Sequence, residues 1–512
     1  MGIYIGLDII PNQINQKDWQ MVFEETLQLI QAYPFATLNV DSVNGFKRFV
    51  LERTERQNVE EYGLEAEYWK INGDLESKET GESFTLFSSL DRYSGFKEER
   101  LKEDILLYYI EDGGNGAREI FYSKTQGKDY HTYLLAIAAL IESRFPKFAC
   151  VYGDISKDQA QESVSWANSI LEKPIDLPVR VNPPELLERL GVIGIEEKQL
   201  EALYGLSISA SDEVNGLVGE YFNMNSIRNY FSKELQEFKS PVQLGAELII
   251  IRLLNAGLPL ETLTDICCID SNGPKFELND FIKAICSTWV FVEPEIRGYM
   301  DPVKNVIDIP ETVESQFGNM FLDMGFMGRR TRRYVPKEEV IGVLKGRLGE
   351  NNQFAEIIEA KYQDIVKTLK EKGRKLKEIE DDSQVKLGRG IINTYDELIY
   401  WNNQYEISES IMNIITTVKE VVEEGLSKRS DLMQIIGVAE EQGQLIKVLS
   451  QIVQEHQNLV LTRGAWDWIE NEATDVIKGM VVMILTFENN GELRKLFRAY
   501  FENKGLFYKY MK

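Results

Sequence analysis

Histidine is almost missing from this chain: His131 and His456 are the two in 512 residues. Cysteine is scarce as well, at four. Cys150, Cys267, Cys268 and Cys286 stand in apolar surroundings, and no two are spaced as Cys-x-x-Cys. A Cys/His zinc site is therefore not expected, nor is any other metal or cofactor. The four thiols read as reduced and buried, which suits a reducing cytosol. Long apolar runs are missing too. The most apolar late segment, 479–487, has about half the ~20 residues that span a bilayer, so it reads as a core helix and no membrane partner is expected. The first ten residues reach Asp8 without a basic region or a small-residue cleavage site, so no signal peptide is read there and a cytoplasmic location is expected. The 14 prolines never gather with Gly and Ser into a long polar tract, so the whole length should fold. Positive charge is in deficit, with 57 Lys and Arg against 82 Asp and Glu, a net −25. That disfavours a general nucleic-acid coat or a binder of anionic membranes.

What is present is an ordinary globular mixture, 43% hydrophobic and 27% charged. Its length exceeds one core, so about two to four domains are expected. Residues 1–182 read as an α+β domain with a mixed or antiparallel sheet and a few helices. Residues 1–10 suggest a first strand. Asn15 then caps a helix over 16–31 with Trp19, Val22, Phe23, Leu27 and Ile30 on one face. Short β-like runs follow at 36–40, 46–51, 66–71 and 83–87. The runs 104–110 and 118–122, around Asn115-Gly116, predict a hairpin. The most self-consistent stretch is 123–171. Here Asp129-Tyr-His131 opens an apolar helix to about 144, 148–154 reads as a buried strand, and Ser156 caps a second helix to about 171. A last strand is expected at 177–181. Strands without intervening helices favour α+β over a doubly wound fold.

At Pro183-Pro184 the texture turns helical. Residues 183–300 predict a packed helical domain, and 301–335, rich in Pro and Gly, a linker carrying a basic block, with a mobile hinge near 310–335. Residues 336–512 predict a predominantly α-helical C-terminal domain, with Ile411, Ile414, Ile415, Val418, Val421 and Val422 forming a helical stripe. Charge follows these divisions unevenly. The balance is −11 over 1–180, −13 over 181–325, +3 over 326–400 and −4 over 401–512, so a basic insert interrupts an acidic chain.

Chemistry-bearing candidates are few. Asp154 follows the strand at 148–154, His131 heads the preceding helix, and Lys124 lies in the loop before it. A Lys, His and Asp trio can support proton transfer near neutral pH. Equally, Gly153-Asp154 makes an ordinary turn, and a His at a helix start is commonly a hydrogen-bonding surface residue. Arg329, Arg330, Arg332 and Arg333 put four guanidiniums in five positions, a pattern that grips phosphates or carboxylates or neutralises the chain's own acids. The cations of 367–377 are interspersed with Glu and read as a solvated helix end. Glu196-Glu-Lys198 and Glu359-Ala-Lys361 match the nuclease tripeptide but sit in helical texture. The glycines of 112–116 form no phosphate loop, and no Gly-x-Ser-x-Gly elbow occurs. His456 reads as structural. Ala465-Trp-Asp-Trp468 reads as core rather than as a recognition patch.

The poor stock of catalytic residue types, the abundant helices and the opposed charge blocks lead to one expectation. The chain is read as a non-enzymatic cytosolic component of a multi-subunit assembly, binding another protein or itself. A defence or toxin-neutralising complex would suit it. The alternative is a hydrolase acting on a nucleotide or nucleic acid, with Lys124, His131 and Asp154 doing the chemistry and the arginine block holding phosphate. Without catalysis, the same block would make a nucleic-acid binder.

Overall fold

The computed structural model describes residues 2–43, 45–61, 64–93, 102–114, 116–208, 211–298, 326–349, 352–384, 390–428, 430–487 and 491–512. The expected class holds: a sheet-rich N-terminal region with a few helices precedes mostly helical middle and C-terminal regions.

The N-terminal region carries two sheets. In the first, β1 (Tyr4–Ile9) lies between β7 (Arg118–Lys124) and β8 (Ala149–Gly153), antiparallel to both. Ile5, Leu7 and Ile9 turn into the core. There they meet α1 (Gln16–Ala32), α3 (Tyr130–Arg144) and α4 (Lys157–Asn168). From Leu134 to Ile141, α3 is buried on every side, as a helix apolar all round must be. Ser156 caps α4 through a full capping box with Gln159. The second sheet is built from β2 (Phe35–Val43), β3 (Phe46–Arg53), β4 (Gln57–Glu61), β5 (Leu64–Asp74) and β6 (Thr80–Phe87). Its order is β3-β2-β5-β4, with β6 also on β5. The two sheets meet where Ser123 Oγ donates to Ser83 O at 3.1 Å and the Lys124 amide to Glu82 Oε2 at 2.9 Å.

Two expected strands are absent. Residues 105–112 form a helix, α2 (Ile105–Asp112), and no hairpin strand. Asp104 accepts from Leu106 N at its start, and Gly113 (φ 61°) ends it in the left-handed region. Ile105, Leu106 and Tyr108 are buried together on this helix, whereas an extended run would split them between two faces. Asn115 of the expected turn lies outside the described residues. Val179–Val181 is a single 3-10 turn.

From Pro183 the chain is helical. Helices at Pro183–Leu190, Glu196–Leu206, Ser211–Tyr221, Met224–Gln236, Leu244–Asn255 and Leu278–Ser287 enclose one apolar cluster. That cluster runs on through Val340, Leu344, Phe354, Ile358 and Ile365. The helices Lys337–Leu348 and Asn352–Gln384, read from sequence as the start of the C-terminal region, therefore pack on the middle core. A third cluster takes in the stripe at Ile411, Ile415, Val418 and Val422, together with Met480, Leu496 and Tyr500. Val50 of β3 joins it.

The N-terminal region contacts both of the others. Arg189 of the middle region grips Asp104 with two bonds, at 2.5 and 3.0 Å, and Lys157 meets Glu213 at 2.6 Å. On the other side, the short strand Leu461–Thr462 of the C-terminal region pairs with Val50 and Leu51 of β3. Gln454 Oε1 accepts from Phe49 N at 2.9 Å. No described helix is long and apolar enough to cross a membrane.

Candidate functional site

The outward face of the three-stranded sheet carries most of the candidate chemistry. Because side chains alternate along a strand, Tyr4, Gly6 and Asp8 share the face opposite Ile5, Leu7 and Ile9. Gly6 is register partner to Tyr122 on β7 and Tyr152 on β8. A Cβ there would come within 2.4 Å of the Tyr152 ring, so the glycine lets the ring lie flat on the sheet. Tyr152 stacks on Tyr122 with centroids 5.4 Å apart, and Tyr122 on Tyr4 at 4.7 Å. The outcome is a continuous stripe of three tyrosine rings, with Tyr122 46% exposed.

Lys124 and Asp154 frame one end of this stripe. Tyr4 and Lys124 are register partners, and the Lys124 ammonium stands 5.2 Å from the Tyr4 ring centroid and 3.6 Å from Glu82. Asp154 is exposed, and its Oδ2 accepts from the Tyr4 amide at 2.9 Å. The fold thus brings Lys124 and Asp154 to either side of one residue. His131 does not join them at the surface. It is 2% exposed, and its Nδ1 lies 2.6 Å from Thr125 Oγ1, itself fully buried. Its Nε2 is buried with no described partner. Burial pulls its pKa down to about 4, because a charged imidazolium would lose its hydration. In this arrangement His131 stays neutral and out of reach of a bound ligand.

The other end of the stripe holds a carboxylate hub that sequence reasoning passed over. Asp8 is 8% exposed. It accepts from Tyr109 at 2.5 Å and from Tyr152 at 3.2 Å. Burial raises its pKa, the two phenols oppose that shift, and nearby Glu119 adds to it. A detectable signal existed: Tyr4-x-Gly6-x-Asp8 has the period of one strand face.

The arginine block occupies a strap on the middle helices. Residues 301–325 of the expected linker lie outside the described residues. Over 326–335 the backbone is clamped from two sides. Asn255 donates to the Arg330 carbonyl at 2.8 Å and accepts from the Arg332 amide at 2.9 Å. Arg297, 2% exposed, donates to the carbonyls of Trp289 and Val292, at 2.7 and 3.0 Å, and of Thr331. Gly328 lies flat on Trp289, where a Cβ would fall 1.9 Å from the indole. Arg333 spends its guanidinium on the Leu258 carbonyl and is half-buried. Arg329 and Arg330 are half-buried and Arg332 is exposed.

Among the other candidates, Glu359 pairs with Lys337 at 2.5 Å on helix surfaces. Trp466 is buried beneath Arg48. The side chains of His456, Lys372, Arg374, Lys375 and Lys377 lie outside the described residues. Among the described residues, no group of three His, Cys, Asp or Glu side chains could hold a metal ion. No family model, no curated protein and no solved structure matches the chain.

Proposed function

We propose that this protein is a non-enzymatic binding component of a multi-subunit assembly, and that the tyrosine stripe on the three-stranded sheet is its contact surface for another protein or a second copy of itself. The observation that carries the reading is the stacked row Tyr4, Tyr122 and Tyr152, laid on an open sheet face with the Lys124 ammonium at its end. Tyrosines supply large contact area at low entropic cost and are enriched at interface centres. The hydrolase alternative needs a proton-transfer group that meets its ligand, and His131 is enclosed. The carboxylates Asp154, Glu82 and Glu119 around the stripe disfavour a phosphate backbone there, which points to a protein rather than a nucleic-acid partner. A reducing, cytoplasmic setting accords with four free cysteines.

The test is light scattering on the full-length chain isolated from its source under native conditions. The expected species is heavier than the 58.9 kDa chain, with a stoichiometric second polypeptide or second copy, and Tyr122→Glu returns it to 58.9 kDa. A monomer at every concentration, or a Tyr122→Glu variant of unchanged mass, refutes the reading.

A further inference from the structure

The junction between the N-terminal second sheet and the C-terminal helices encloses a cleft of about 750 Å³. That lies within the roughly 300–1,000 Å³ of small-molecule sites. One wall is the β5–β6 turn with Lys128; the other is built from 395–400, 458–460 and the helix Gly491–Glu502. Five cations line it, Lys78, Lys128, Arg494, Lys495 and Arg498, against three carboxylates. Even with Glu502, which pairs with Lys78 at 3.8 Å, counted among the acids, the lining cations outnumber them by one inside a chain of net −25.

The carboxylates are already engaged. Glu79 is shared between Arg498 at 2.7 Å and Lys128 at 3.1 Å. Asp396 holds Lys495 at 2.7 Å, and Glu397 accepts the amides of Asn393 and Thr394. One cation has no counter-charge among the described residues, and a second is only loosely paired. Arg494 is exposed and forms no ion pair with a described residue. Lys78 pairs with the buried side chain of Glu502 at 3.8 Å, a longer contact than those of Arg498 and Lys495, and Glu502 also accepts from Thr462 N and Oγ1 at 2.7 Å. Arg498 Nε is buried with no described partner.

Backbone strain gathers at the same place. Lys78 (φ 55°) and Asn458 (φ 49°) line the cleft in the left-handed region, and Gln126 (φ 59°) stands two residues from Lys128. Such conformations cost free energy and cluster at ligand sites. Tyr395, Ile399 and Tyr400, the last 52% exposed, add an apolar and aromatic wall.

We infer that this cleft binds a small phosphate-bearing molecule with an aromatic ring, of the nucleoside diphosphate class: Lys78 and Arg494 meet the phosphates and the tyrosine wall meets the ring. The ligand would bridge the two regions and lock their junction.

The probes are ADP and inorganic pyrophosphate, titrated into the full chain by calorimetry with thermal unfolding alongside. ADP binds more tightly than pyrophosphate, raises the unfolding temperature, and loses affinity as salt is added. Arg494→Glu and Lys78→Glu each weaken ADP about tenfold to a hundredfold, the loss of one charge-assisted contact. Lys283→Glu, an exposed lysine on the helix Leu278–Ser287, leaves affinity unchanged. No ADP binding at millimolar concentration overturns the inference. So does ADP affinity unaltered in both cleft variants. Equal affinity for the two probes removes the ring from it.

Discussion

Replacing Arg48 by Met tests what holds the C-terminal helices on the N-terminal sheet. Arg48 projects from β3 and is 2% exposed. Its Nη2 lies 3.0 Å from Asp41 and 2.5 Å from Glu470, and its Nη1 3.3 Å from Ser450 Oγ. The guanidinium carbon sits 4.2 Å above the Trp466 ring. Three of these four partners belong to the C-terminal region. Breaking a buried ion pair costs about 3–5 kcal/mol when the orphaned charge stays dry. Here it does not stay fully dry: Asp41 and Glu470 are 28% and 35% exposed, and Asp41 keeps Arg463 at 2.9 Å. Methionine also preserves most of the stem packing. The expected loss is therefore about 2–3 kcal/mol, the sum of charge-assisted bonds and a desolvated cation–π contact after rehydration. Arg48→Ala adds a cavity and should cost about 4 kcal/mol. The assay is urea unfolding followed by tryptophan fluorescence, with Glu470→Gln completing a double-mutant cycle. A coupling of about 1–2 kcal/mol is expected for two residues in contact. Arg48→Met within about 0.5 kcal/mol of the parent, or no coupling to Glu470, would falsify the view that this cluster is the clasp.

Two buried groups should tilt the pH dependence in opposite directions. Burial pulls His131 down to about 4 from 6.5, so the unfolded chain takes up its proton first and stability falls as pH drops from 6.5 toward 4. Burial pushes Glu142 up to about 7 from 4.5, against the pull of the Val179 and Val151 amides it accepts, so its contribution is full below 4.5 and is lost as pH rises toward 7. Between pH 4.5 and 6.5 the two slopes oppose each other at about 1.4 kcal/mol per pH unit each. His131→Gln should therefore show stability falling with rising pH relative to the parent, and Glu142→Gln the reverse; parallel profiles for all three proteins contradict this. Gly328→Ala drives a Cβ into the Trp289 ring and should cost about 1–3 kcal/mol, whereas Gly342→Ala, in a helix with nothing within 4 Å, should gain up to about 1 kcal/mol. Thermal unfolding of both variants reads the contrast, and equal shifts sink it. Thiol titration of the native protein should label Cys268 at most, since Cys150, Cys267 and Cys286 are buried; prompt labelling of two or more would show the core open.

Local signals were legible where the chain satisfies itself nearby. The helix begun by Asn15, the strands at 36–40, 46–51, 66–71 and 83–87, and the cap at Ser156 all carry their own period or capping chemistry. The run at 104–110 misled because Ile, Leu and Tyr suit a strand as well as a short buried helix. Asp104 decides it, by capping α2 on one side and meeting Arg189 on the other. The helices from Lys337 onward pack on the middle core because their partners, such as Phe281 and Ile285, are remote in sequence. No window short enough to read by eye contains both sides of that contact. The short strand Leu461–Thr462 is invisible for the same reason: its two residues are extended because β3 offers an edge there.

The surroundings of each candidate residue decide whether its reactive atom stays wet. Asp154 and Lys124 stay at the surface because they end strands, where the chain leaves the sheet. His131 starts a helix that is apolar all round, so its ring is drawn into the core with Thr125 as its one described polar partner. The sequence offered His131 as a reagent because an imidazole at a helix start, between Lys124 and Asp154, suits proton transfer near neutral pH, but that placement carries no information about depth. The arginine block shows the complementary case. Its charge suggested a surface grip, yet the backbone geometry is dictated by a different arginine, Arg297, whose guanidinium is buried among carbonyls. A run of like charge names what a segment can attract; it does not name the neighbours that hold the segment's backbone. The cleft at the β5–β6 turn inverts this. Arg494, Lys495 and Arg498 are close in sequence, but Lys78 and Lys128 are more than 350 residues away, and folding brings all five to the lining of one cleft. Convergence of charge in space is the stronger indication of a ligand, and here only the tertiary structure provides it.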